Sequence, residues 1–177
     1  MFLTRLLDYT KVKAQLANGI TLMNLSFGIM AIIYIVKGVG HMSLIFILLA
    51  ALFDRLDGSV ARRFNTESDF GKELDSLCDL ISFGVAPALL IYHAVLYQVP
   101  VAGLAITILF ILCGAVRLAR YNIKEFDGTY YGLPITAAGV GVVLSYFLLP
   151  VFPVVFFVMF QSLLTVLMVA PIKVGKV

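Results

Sequence analysis

The sequence predicts an all-α integral membrane protein with six transmembrane helices and an N-terminal interfacial amphipathic helix. Three observations carry this. The 177 residues are 62% hydrophobic and 13% charged, with a mean hydropathy of +1.04, where a soluble domain is about half apolar and roughly a quarter charged. Six apolar stretches recur with short connections, each near the roughly 20 residues needed to cross the hydrocarbon. The few charges gather at alternate connections. These features exclude a soluble globule, a disordered chain and a disulfide scaffold. A net charge of +3 gives no reason to expect nucleic acid. One membrane domain over 1–177 leaves no room for a second, soluble one.

Residues 1–15 set Phe2, Leu3, Leu6 and Leu7 against Arg5, Asp8, Lys11 and Lys13 at near-helical spacing, the pattern of a helix lying in the interface. No small-residue cleavage site closes the stretch that follows, so it reads as a retained first span. The predicted spans are 17–36, 42–63, 70–93, 100–121, 133–149 and 151–171. The third opens on acids before turning apolar at Leu80. Gly84 and Pro87 are expected to bend it, with the lost backbone bond satisfied locally. Pro134 is expected to start the fifth span, and Pro150 and Pro153 mark a tight turn before the sixth. Cys78 and Cys113 read as small core residues.

Six spans place both termini on one side. Of 13 Lys and Arg, all but Lys37 fall on that side, which the positive-inside rule makes cytoplasmic. All ten acids fall there too. His41 and His93 lie on the opposite side and are assigned no catalytic role.

The chemistry concentrates in two neighbouring helix ends. Asp54 and Asp57 are i, i+3 at the end of span two; Asp75 and Asp79 are i, i+4 near the start of span three. Each pair shares a helix face, and a short connection folds the two helices antiparallel. Four carboxylates can then converge at the cytoplasmic end. Four acids near lipid are costly unless neutralised. Oxygen-only ligation favours Mg²⁺, Mn²⁺ or Ca²⁺, and four acids suit two such ions, an arrangement that clamps a phosphoryl group during in-line displacement. Gly58 and Gly71 leave space for a ligand or a neighbouring helix, and Arg62 and Arg63 suit phosphate. Together these point to metal-assisted chemistry on a phosphate ester. A divalent-cation channel would need carboxylates near the midplane and a through-path, whereas these acids sit at one end.

Other polar residues stay open. Arg117 and Arg120 are i, i+3 at the cytoplasmic end of span four, either as anchors or as contacts for an anionic substrate group. Lys72 pairs with Asp69, Glu73 or an anionic substrate. Ser76 and Ser82 line the site or, more commonly, bond carbonyls of their own helix. Asn18, Thr21 and Asn24 recur at three-residue spacing on span one, where polar residues usually face the bundle.

The spacing D-x2-D-G-x2-A-R-x8-G-x3-D-x3-D, carried by Asp54, Asp57, Gly58, Ala61, Arg62, Gly71, Asp75 and Asp79, resembles the complete signature of the CDP-alcohol phosphotransferase family. The resemblance implies a six-span homodimer that moves a phosphatidyl group from a CDP-linked donor to an alcohol and releases CMP. It implies that Asp54, Asp57 and Asp75 ligate metal, and that Asp79 completes the second metal's shell and acts as general base. Mg²⁺ or Mn²⁺ would be the working ions, with Ca²⁺ as an inert occupant. Gly58, Ala61 and Arg62 would line the CDP site, Gly71 would allow close approach there, and Asn18 and Thr21 would help bind the nucleotide. The run from Gly71 to Ala88, with Leu118–Asn122 and Gly132–Gly139, is similar to the phosphatidylserine synthase branch; the likeness covers much of 18–139. That implies attack by L-serine on CDP-diacylglycerol, or on CDP-archaeol in an archaeon. Arg117, Arg120 and Lys72 are then candidates for the serine carboxylate or a donor phosphate. Phosphatidylglycerophosphate and phosphatidylinositol-phosphate synthases of the same family are the alternative. A cytoplasmic site in a multi-pass cell-membrane protein follows.

Overall fold

The computed structural model describes residues 2–64, 68–123, 130–171 and 173–174, with side chains described over 15–16, 18–59, 68–123 and 132–171. Seven α-helices follow in order: α1 (Phe2–Val36), α2 (Gly40–Phe64), α3 (Asp69–Asp79), α4 (Ala86–Ala94), α5 (Pro100–Ile123), α6 (Ile135–Ser145) and α7 (Val154–Val169). Among the described residues, the one departure from helix and turn is a two-residue antiparallel pair, β1 (Tyr130–Tyr131) with β2 (Lys173–Val174), in the register Tyr130↔Val174.

α1 runs unbroken for 35 residues, so 2–15 is helical and continuous with the first apolar stretch. No Gly or Pro stands between Phe2 and Asn18 to interrupt it. The side chains of 2–14, on which the interfacial reading depends, lie outside those described. Three stretches are long and apolar enough to cross a bilayer: Asn18–Val36, Asp69–Ala94 and Pro100–Ile123. Two further apolar helices, Ile135–Leu148 and Val154–Val169, are shorter. α2 is 25 residues long but carries Asp54, Arg55 and Asp57 in its second half. Exposed apolar stripes run down the outer faces, Leu104, Ile108, Leu112 and Val116 on α5 and Val155, Met159, Leu163 and Val166 on α7. Such surface belongs against lipid, and the protein is a membrane protein.

α3 starts cleanly because Ser68 caps it: its side-chain oxygen accepts the Gly71 N–H at 3.0 Å. The α3–α4 stretch then widens into a π-helical turn, Leu80–Val85, marked by the Ala86 N–H bonding back to Ile81 O. Pro87 supplies the cause, since it has no N–H for the Phe83 carbonyl four residues back. The expected bend is thus a wide turn within one continuous span.

This π turn is the centre of the fold. It contacts α1, α2, α5 and α6, and Ser82, Phe83 and Gly84 are buried in it. Two glycines permit the approach. A side chain at Gly28 of α1 would strike Ser82, and one at Gly139 of α6 would strike the Phe83 carbonyl. Phe83, Leu90, Ile91, Phe110, Ile135, Val142, Phe157 and Met168 fill the core around it. α1 packs along α2, and α5 along α7.

Pro134 stands at the N-cap of α6 and Pro153 at that of α7. The Pro150 turn is closed by the N–H groups of Val151 and Phe152 on Leu148 O, at 3.0 and 3.1 Å. Leu133 N–H bonds Leu167 O at 2.9 Å, tying the start of α6 to the end of α7.

Candidate active site

The two acid pairs meet because α2 and α3 both pack on α1. Carboxylate oxygens of Asp54, Asp57 and Asp75 lie within 4.8 Å of one another. Asp79, one turn beyond Asp75, lies beside Asp54 and completes the cluster. All four acids therefore gather at one end of the bundle, as their spacing predicts. Asp57 and Asp79 are buried, and Asp54 and Asp75 are half-buried.

The cluster opens into a cavity of about 390 Å³. α1 contributes Asn18 and Thr21 to its wall, and α2 contributes Gly58 beside the two acids. Gly71, Lys72 and Ser76 come from α3, with Ser68 at its cap. Across from them stand Arg117, Leu118, Tyr121 and Asn122 of α5, and Pro134 and Thr136 at the start of α6. Of the residues singled out from sequence, the fold brings Asn18, Thr21, Gly58, Gly71, Lys72 and Arg117 to this cavity with the four acids. Arg120 is exposed on α5 and is not among the lining residues, so the two arginines do not act as a facing pair. Ala61 and Arg62 fall where side chains are not described.

Several contacts hold the acids in place. The Thr21 hydroxyl donates to the Asp57 carboxylate. Asn24 Nδ2 donates to Asp79 Oδ1 at 3.4 Å. Lys72 makes an exposed ion pair with Asp69 at 3.9 Å. Arg117 lies over the Tyr121 ring at 5.9 Å, and its Nε is buried with no hydrogen-bond partner. Ser76 and Ser82 do not bond their own helix: Ser76 pairs with the Asn122 side chain, and Ser82 Oγ donates to Asn24 O at 3.2 Å. Tyr121 and Thr136 escaped the sequence reading. Tyr121 carries a usable signal, standing four residues after Arg117 on the same helix face.

The donor set fits divalent cations. It is all oxygen, and carboxylates supply the converging ligands. Asp57 Oδ2 and Asp75 Oδ1 are buried without hydrogen-bond partners. Among the described residues, none of Asp54, Asp57 and Asp75 is ion-paired to a cationic side chain. Three such carboxylates packed together call for a counter-charge.

The family model for CDP-alcohol phosphatidyltransferase matches residues 14–171. The CDP-diacylglycerol–serine O-phosphatidyltransferase of Bacillus subtilis is 38% identical over 129 residues, covering 72% of this chain and 73% of that protein. The protein of the same name from Methanocaldococcus jannaschii is 44% identical over 122 residues, covering 69% of this chain and 55% of its own length. The archaetidylserine synthase of Methanothermobacter thermautotrophicus is 41% identical over 128 residues, 71% of this chain and 54% of that protein. The chain thus spans little more than half the length of these last two relatives. The matched region runs from within α1 to the end of α7 and takes in the whole acid cluster, and the chain belongs to the CDP-alcohol phosphatidyltransferase family.

Proposed function

We propose that this protein transfers a phosphatidyl group from CDP-diacylglycerol, or its ether-linked counterpart CDP-archaeol, to the hydroxyl of L-serine. The products are phosphatidylserine, or its archaeal analogue, and CMP. One observation carries the reading: three carboxylates converge within 4.8 Å in the wall of a cavity whose opposite side holds Arg117. Relatives named for serine transfer, which align over about 70% of the chain, support serine as the acceptor.

Asp54, Asp57 and Asp75 would hold two divalent cations, Mg²⁺ or Mn²⁺, with Asp79 completing the set. Bound there, the ions supply positive charge that offsets the pyrophosphate and the departing CMP. The chain's own groups do the rest. Asn18 and Thr21 of α1, with Gly58, Ala61, Arg62 and Gly71, line the place of the CDP moiety. Arg117 meets an anionic group, the serine carboxylate or a donor phosphate, with Lys72 at the rim. The serine oxygen attacks the lipid-bearing phosphorus, the bond from that phosphorus to the oxygen shared with CMP breaks, and the hydroxyl proton passes to Asp79. A cavity at the bundle's end admits serine from water while the lipid chains remain in the bilayer. Six crossings with the acids on the cytoplasmic side, in a homodimer, complete the proposal. The distribution of Lys and Arg supports the orientation.

The test is CMP release by the purified protein with CDP-diacylglycerol, Mg²⁺ or Mn²⁺, and a panel of alcohols. Release that depends on L-serine is expected. Release with glycerol 3-phosphate or inositol phosphate but not serine would replace the acceptor and keep the family chemistry.

A further inference from the structure

Asn24 is fully buried and stands outside the cavity wall, behind the acids. Its amide makes one hydrogen bond. Nδ2 donates to Asp79 Oδ1 at 3.4 Å, while its own Oδ1 is buried without a partner. The opposite amide orientation would set a carbonyl oxygen against a carboxylate oxygen, so the donor end is the one chemistry selects. A polar side chain with one half unsatisfied is costly in a bundle interior. Its donor half is therefore the reason for it.

The backbone of Asn24 is fixed to the same element. Ser82 Oγ donates to Asn24 O at 3.2 Å. One turn further on, Gly28 lets α1 come against Ser82, where any side chain would collide. Asn24 thus touches both sides of the junction between α3 and the π turn, Asp79 by its amide and Ser82 by its carbonyl.

We infer that Asn24 is the positioning residue of Asp79. It holds Oδ1 and so fixes the orientation of a carboxylate that lines the cavity, where a substrate hydroxyl can give up its proton. The inference rests on the reading of Asp79 as general base.

The test compares Asn24→Leu, close in volume and without a donor, with Asn24→Ala, which removes the donor without adding bulk. Both are measured in detergent with the metal-loaded enzyme, and again in an Asp79→Asn background. The expected result is a fall in kcat of at least about tenfold, with KM for donor and acceptor and the thermal midpoint little changed. In the Asp79→Asn background the same substitutions should change residual turnover less than about twofold, because the partner is already gone. An unchanged kcat overturns the inference. So does a joint loss of kcat, KM and thermal midpoint, which marks a merely structural role, and so do losses that multiply with Asp79→Asn. If the wild-type protein uses another alcohol in place of serine, the acceptor proposal fails alone, and the comparison is made with that alcohol. Full turnover by Asp79→Asn removes the base, and the positioning role with it.

Discussion

Ser76 and Asn122 hydrogen-bond each other between α3 and α5, with Asn122 Nδ2 3.0 Å from Ser76 Oγ. Both residues are half-buried and both line the cavity. The bond therefore ties the acid-bearing helix to the helix that carries Arg117. Truncating one partner leaves the other half-buried and unpaired, a loss of about 1–3 kcal/mol. Ser76→Ala and Asn122→Ala should each lower the unfolding midpoint in detergent. The double variant should lose less than the sum of the two. Strict additivity in this cycle would show that the pair contributes nothing jointly.

The π turn makes a second, purely steric prediction. Gly139 faces the Phe83 backbone carbonyl, which cannot swing aside as a side chain can. Gly141, half a turn along the same helix, has only Leu164 Cδ1 at 3.6 Å, an ordinary contact. Gly139→Ala should destabilise by about 1–3 kcal/mol through overpacking. Gly141→Ala should be neutral or slightly stabilising, because alanine is the better helix former. Equal effects at the two positions would mean that the π turn is not held by close approach of α6.

These two contacts also show where sequence reading stops. The acid cluster was legible because i, i+3 and i, i+4 spacing fixes a helix face, and a short connection fixes the antiparallel return. Three of the apolar stretches, Asn18–Val36, Asp69–Ala94 and Pro100–Ile123, were legible because bilayer thickness sets their length. Which helix would come against which was not. Asn24 and Asp79 are 55 residues apart, and nothing local says that span one lies behind span three. Ser76 and Ser82 could line the site or bond their own helix by sequence alone; Ser76 lines the cavity, and both reach across to a neighbouring helix. Gly84 and Pro87 announced a bend but not its form, since a missing N–H can be absorbed by a kink, a water or a widened turn. Arg117 and Arg120 share a helix and a charge; only the packing of α5 decides that one lines the cavity and the other is exposed.

That difference gives a functional contrast. Arg117 presents a rigid planar fork with a buried, unpartnered Nε in the cavity that the acids line. Lysine offers a point charge without that fork. Arg117→Lys should raise KM for one of the two substrates by tenfold or more, and Arg117→Ala should cost more still. Arg120→Ala, at an exposed position, should leave kcat and KM within about twofold. Saturation kinetics in each substrate separately will show which one Arg117 holds. Equal sensitivity at both positions would mean that the cavity is not where the anionic group binds.

The acid cluster carries the last prediction, in which the effect of one substitution changes sign with the metal. Without a cation, three carboxylates within 4.8 Å repel. Asp75→Asn removes one of these charges, so in the presence of a chelator this variant should unfold at a higher temperature than the wild type. With Mg²⁺ or Mn²⁺ the order should reverse. A ligand at a hundredfold its dissociation constant adds about 2.7 kcal/mol to the folded state that binds it, and Asp75→Asn forfeits part of that gain because it loses a ligating oxygen. Chelation should also abolish CMP release by the wild type, and returning the metal should restore it. If chelation and readdition leave the wild-type midpoint unmoved, the three carboxylates are not a metal site. If the variant is the less stable in both conditions, Asp75 supports the fold by contacts other than charge, and its open oxygen has some other partner.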